Sequence, residues 1–143
     1  AIGDFLVLRA VREGHFYIFT HPETRLAIEF RFSNLMAGFD DAAAFAWFAR
    51  ASRQGNADAQ YHLANMYNYG LGLPPGEKDP DRSAAQWYFE SARQGHADAQ
   101  YVLAILFLTG KGVERSEAEA AKWMKRAAQG GHPQAREFEQ ALR

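Results

Sequence analysis

Eleven residues, QGNADAQYHLA at 54–64, return as QGHADAQYVLA at 94–104, forty positions further on. Self-similarity at a period of a few tens of residues marks a chain built from stacked supersecondary units, and it constrains the fold more than any composition value does. Aligning 44–73 with 84–113 gives 14 identities in 30 positions, among them Ala44/Ala84, Trp47/Trp87, Gly55/Gly95, Ala59/Ala99 and Gly70/Gly110. A third, partial copy lies 36 residues beyond the second, with Ala120, Trp123, Ala128, Gly131 and Ala135 on the same template positions. The offsets differ by four residues. That difference places an insertion in LGLPPGEKDPD at 71–81, whose prolines and glycines mark irregular chain.

Each unit reads as two helices. In the second copy, Ala84, Trp87, Tyr88, Ser91 and Ala92 recur at three- and four-residue spacing, so rings and small residues share one face. Gly95 stops this helix, because glycine takes the left-handed conformation that closes a helix. His96, like Asn56 one unit earlier, stands where the following helix starts. That second helix carries Ala99, Leu103, Leu106 and Phe107 and ends at Gly110 and Gly112. A connection of about two or three residues makes the two helices antiparallel neighbours. The expected fold is therefore all-α, an α-solenoid of stacked antiparallel helix pairs over 42–143, divided at 42–83, 84–119 and 120–143.

The residues A-x-x-W-Y-x-x-S-A-x-Q-G-H-A-D-A-Q-Y-x-L-A from Ala84 to Ala104, with G-x-G-V at 110–113, closely resemble the Sel-one-like repeat family, relatives of the tetratricopeptide repeat. The resemblance covers residues 43–136. It implies a non-catalytic scaffold that binds a protein or peptide partner through the side of the solenoid lined by its first helices. It weakens at the end, where Glu137 and Glu139 replace the Tyr101 and Leu103 of the previous unit. A polar second helix suits a terminal capping unit; the alternative is an array that continues.

Residues 1–41 carry no copy of the repeat. GDFLVLRAVREG reads as a short helix stopped by Gly14, HFYIFTH as a strand, and the stretch from Pro22 to about Gly38 as a second helix. Residues 9–39 also resemble the C-terminal segment of short-chain dehydrogenases. That resemblance carries no catalytic residue over, since no tyrosine in the chain has a lysine four positions later and GLGLPPG follows a helix rather than a strand. It leaves a second reading, a terminal or accessory portion of such an oxidoreductase with the repeats as a docking module. A strand at 15–20 needs partners for its backbone groups. A homodimer through residues 15–20, an upstream domain, or a non-strand conformation packed on the repeats would each supply them.

Composition narrows the chemistry. Sixteen Lys and Arg against seventeen Asp and Glu give a net charge of -1, without the basic footprint that nucleic-acid binding requires. No window approaches the ~20 apolar residues of a membrane helix. The absence of cysteine fits cytoplasm or periplasm, and with no leader pattern at the start the cytoplasm is slightly favoured. No two of the five histidines, His15, His21, His62, His96 and His132, sit three or four apart on one helix, so neither a metal nor another cofactor is expected. Glu77, Asp79 and Asp81 lack the ordered spacing of a calcium loop and read as a solvated, mobile stretch. Trp47, Trp87 and Trp123 follow the repeat and read as structural rings.

What remains is a surface. Opposite the packed face, the first helices collect Arg50 and Arg53, then Gln86, Phe89, Glu90 and Arg93, then Lys122, Lys125 and Arg126. Phe89 is an aromatic where its counterparts are Ala49 and Lys125, and it reads either as a binding hot spot among arginines or as a ring packed on the N-terminal segment. Residues 120–143 carry five Lys and Arg against two acids, while 1–41 carry four against six, an asymmetry that would orient a partner, favour head-to-tail association or be incidental.

Overall fold

The computed structural model describes residues 41–142. The helix–strand–helix segment expected within 1–41, and with it the pairing of residues 15–20, lies outside the described residues apart from Asp41. Those described form six helices and no strand: α1 Asp41–Arg53, α2 Ala57–Tyr69, α3 Pro80–Arg93, α4 Ala97–Thr109, α5 Glu117–Gln129 and α6 Pro133–Ala141. They are three antiparallel pairs, α1–α2, α3–α4 and α5–α6, stacked as a solenoid. The most extensive contacts join α2 to α3 and α4 to α5, so each pair packs on the next at least as closely as its own helices pack on each other.

One turn, used three times, explains the hairpins. At the end of α3 the Gly95 N–H donates to the Ala92 carbonyl and the His96 N–H to the Ser91 carbonyl, while Gly95 sits at φ 95°. These bonds satisfy carbonyls that the helix end would otherwise leave open. His96 then serves the following helix, its Nδ1 accepting from the Ala99 N–H at 3.2 Å. One residue thus closes one helix and caps the next. Asn56 does the same for α2 through its Oδ1, at 2.9 Å from the Ala59 nitrogen, and His132 for α6, at 3.3 Å from the Ala135 nitrogen.

The other repeated template feature, G-x-G after α2 and α4, divides its labour. Gly70 and Gly110 are left-handed caps of α2 and α4. Gly72 and Gly112 instead lie against the backbone at the start of the first helix of their own pair. A Cβ on Gly112 would stand 2.2 Å from the Asp81 carbonyl oxygen, and one on Gly72 the same distance from that of Asp41. Only a residue without a side chain lets the loop close there.

The inserted stretch is better anchored than the sequence suggests. Asp79 caps α3, accepting from the Arg82 N–H at 3.1 Å, and Pro80 opens the helix with the φ it prefers. Glu77 accepts from the Asp79 N–H at 3.0 Å and from the Ser83 hydroxyl. Two of the three carboxylates read as solvated are therefore spent on starting α3. Asp81, in the first turn, lies 3.7 Å from the Lys111 ammonium. Relative to the loop after α4, this one is three residues longer and is followed by a helix one residue longer, which together make the four-residue difference between offsets.

The core is built of rings against small residues. Tyr88 is 1% exposed among Ala64, Ala84, Ala92, Ala99 and Ala104, with Leu103 and Leu106 completing the layer. Its hydroxyl donates to Asn65 Oδ1, and burial, reinforced by Tyr61 and Tyr69, pushes its pKa well above the ordinary phenol value. The tryptophans divide: Trp123 is 5% exposed in the core, Trp87 is half-buried, and Trp47 is 37% exposed.

Candidate protein-binding surface

The structure gives the repeat histidines structural work. The His96 ring stacks on Tyr61 of the preceding pair, centroids 4.7 Å apart, and its Nε2 lies 3.0 Å from Asp58. His132 repeats the arrangement on Tyr101 at 4.2 Å, with Asp98 at 3.6 Å. Because Nδ1 accepts a backbone N–H in both, the proton of the neutral ring sits on Nε2 and faces the carboxylate. Burial lowers the pKa of His132 below the usual histidine value, against the opposing pull of Asp98. Each ring is thus a cap and a stacking plate between successive pairs, with its Nε2 turned toward an acid of the preceding pair. Among the described residues no three acidic, histidine or cysteine side chains are grouped to hold a metal ion.

Glutamines add a second link between pairs. Gln60 Nε2 donates to the Ser52 carbonyl and its Oε1 accepts from Gln94 Nε2 at 2.6 Å, tying α2 to the end of α3. Gln100 Nε2 repeats the first bond on the Ala92 carbonyl, but its Oε1 is buried without a partner, because Gly130 stands where Gln94 stands one unit earlier. Arg136, at the same template position, donates from Nε to the Ala128 carbonyl. The Ser91 hydroxyl donates to the Ala57 carbonyl at 2.7 Å; Ala127 replaces it in the third unit.

With these side chains committed, the outward side of α1, α3 and α5 carries the free chemistry. Arg50, Arg53, Gln86, Phe89, Arg93, Lys122, Lys125 and Arg126 are exposed, and Glu90 is half-buried. Several are locally paired: Arg93 Nε donates to Glu90 Oε2 at 2.7 Å, and Lys122 to Glu119 Oε1 at 2.7 Å. Phe89, 43% exposed, meets the Trp123 ring edge to face at 5.7 Å, and Arg126 lies over the same ring at 4.7 Å. Phe89, Trp123 and Arg126 thereby form one continuous patch across α3 and α5, with rings backing a cation.

Beside Phe89 lies a groove of about 580 Å³ between α3 and α4, walled by Ala85, Trp87, Leu103, Phe107 and Val113 and rimmed by Arg82, Gln86 and Glu90. The sequence points to Gln86, Phe89 and Glu90 but not to this depression. Its one available signal is that Ala85 replaces Phe45 at the equivalent position forty residues earlier.

The chain belongs to the Sel1 repeat family, whose model matches residues 36–56, 57–96 and 97–132. The last two spans each run from the start of a second helix through the next first helix, the same period cut at a different point. Sel1 repeats in general mediate protein–protein interaction. Among solved structures, a Sel1 repeat protein from Oxalobacter formigenes is 34% identical with a TM-score of 0.60; the match covers 66% of this chain and 36% of that one. Helicobacter pylori cysteine rich protein B shares the fold at 24% identity and a TM-score of 0.65, covering 71% of this chain and 74% of its own. The chain thus spans about a third of the Oxalobacter protein. The comparison with curated proteins finds no match. The likeness of residues 9–39 to dehydrogenases receives no support from these matches. No described helix is long and apolar enough to cross a membrane.

Proposed function

We propose that the chain is an interaction scaffold that binds a protein or peptide partner through the outward side of α1, α3 and α5, and that it works by binding rather than by catalysis. The observation that carries this reading is the patch of Phe89, Trp123 and Arg126, an exposed aromatic and cation pair on the same side as Arg50, Arg53, Gln86, Glu90, Arg93 and Lys122. Aromatic and arginine side chains together dominate binding energy in interfaces. His96 and His132 and the acids beside them, groups well suited to acid–base chemistry, are occupied in capping and stacking, which favours a scaffold. The test is a Phe89→Ala, Arg93→Ala double variant in a pull-down. Both side chains are exposed, so helicity stays at the wild-type level while partner capture falls; full capture by a folded double variant would move the site off this face.

A further inference from the structure

Comparing equivalent positions in the first two units locates a vacancy. In the first, the Phe45 ring sits edge-on against Tyr67, centroids 5.1 Å apart and planes at 80°, filling the space between α1 and α2. Forty residues on, the pair becomes Ala85 and Phe107. The aromatic wall persists while the ring that packs against it is gone, and both residues line the groove between α3 and α4. The groove, with Ala85 at its floor and 3% exposed, lacks the ring that the preceding unit sets against its own aromatic wall. Its remaining walls, Trp87, Leu103 and Val113, are apolar.

Charge around this opening is predominantly cationic, the exposed Glu114 next to the wall residue Val113 apart. Among the lining residues Glu90 is bound by the Arg93 guanidinium, whereas the exposed Arg82 guanidinium has neither hydrogen bond nor ion pair. On the neighbouring first helices Arg50, Lys125 and Arg126 are likewise exposed without an acidic partner. Uncompensated charge on this face is cationic, and complementary charge selects and orients the partner.

The geometry points to a socket for an aromatic side chain carried on an acidic peptide segment of a partner protein, its ring edge-on to Phe107 as Phe45 is to Tyr67 and its carboxylates facing Arg82 and the cations of α5. This rests on the reading above that the first-helix side binds a partner.

The test uses the full chain and fluorescence anisotropy with a labelled synthetic peptide in which one phenylalanine is flanked on each side by two glutamates. Two controls replace the phenylalanine by alanine or the glutamates by lysines. The expected result is binding at least about tenfold tighter for the first peptide than for either control. Ala85→Phe, which supplies the ring that the first unit has, should bring it down to the control level, and Arg82→Glu should weaken it severalfold without touching the apolar walls. If Ala85→Phe fails to fold, Arg82→Glu and the two controls decide alone. Equal binding of the phenylalanine and alanine peptides, no binding of any peptide, or undiminished binding by folded Ala85→Phe overturns the socket. Failure of the wider reading looks different: the socket alone is wrong if the Phe89→Ala, Arg93→Ala variant still loses its captured partner while the peptide results fail, and both are wrong if that capture is also unchanged.

Discussion

The two junctions of the solenoid, α2 on α3 and α4 on α5, follow one template yet are held by different chemistry. The first adds polar links to the packing of Tyr88 on α2: Gln60 meets Gln94, Ser91 reaches the Ala57 carbonyl, and His96 Nε2 lies 3.0 Å from Asp58 while its ring stacks on Tyr61. The second loses two of these links. Ala127 replaces the serine, Gly130 the glutamine, and Gln100 Oε1 is left buried and alone. In exchange Trp123 is 5% exposed where Trp87 is half-buried, Met124 takes the buried place of Tyr88, and Tyr101 and His132 stack more closely. A repeat template thus fixes the shape of a joint without fixing its forces. Apolar packing can take the place of hydrogen bonds provided the backbone turn is kept.

The largest break should come at the apolar junction. Trp123→Ala removes its main ring and is expected to cost about 3–5 kcal/mol, read as a lowered midpoint in denaturant unfolding, and it also strips the backing from Phe89 and Arg126. At the first junction Ser91→Ala should cost less, about 1–2 kcal/mol, because it leaves the half-buried Ala57 carbonyl without its side-chain donor while changing little volume. If the two costs are equal, the division of forces is wrong.

Acid should separate the junctions further. The pKa of His132 is lowered in the folded chain, by burial first and against Asp98, so the unfolded chain takes up the proton more readily. Its contribution is therefore present above its ordinary value of 6.5 and is lost as pH falls from there through the folded value. A proton on Nδ1 would also remove the acceptor that caps α6. His132→Asn, which keeps a cap of the kind Asn56 provides, should flatten the difference between unfolding curves recorded near pH 7.5 and near pH 5.5. An unchanged difference would place the titration elsewhere.

The smallest effect should be a gain. Gly130→Gln restores the donor that Gln94 supplies one unit earlier, and Gly130 has a right-handed backbone that any residue adopts. Pairing the orphaned Gln100 oxygen and replacing a glycine at a right-handed cap position should add about 1 kcal/mol. The Ala97 methyl, 3.2 Å from the new Cβ, must give way slightly. Loss of stability instead would mean that the glycine is kept for that close approach.

The period, the helix pairs, the Gly95 turn and the start of a helix at His96 were all legible, because each is written in neighbouring residues. The Tyr–His–Asp joint was not: Tyr61, Asp58 and His96 meet only after one unit stacks on the next, and nothing in their separation of nearly forty residues announces it. Asp79 before Pro80 was a readable cap, outweighed by the surrounding glycines and prolines that suggested a loose loop. On the candidate surface, exposure of Phe89 and the arginines followed from helical spacing. The groove beside them depends on an absent ring at Ala85; the exchange for Phe45 is visible in the repeat alignment, but the packing of Phe45 on Tyr67 that gives it meaning is not.

The central claim is that partners bind across the first helices, and amine footprinting of the captured complex tests it most directly. The four lysines divide usefully, with Lys122 and Lys125 on α5 and Lys78 and Lys111 on loops. The account predicts that bound partner protects Lys122 and Lys125 from acetylation while Lys78 reacts as in the free chain. Protection of Lys78 with Lys122 and Lys125 still fully reactive would contradict it.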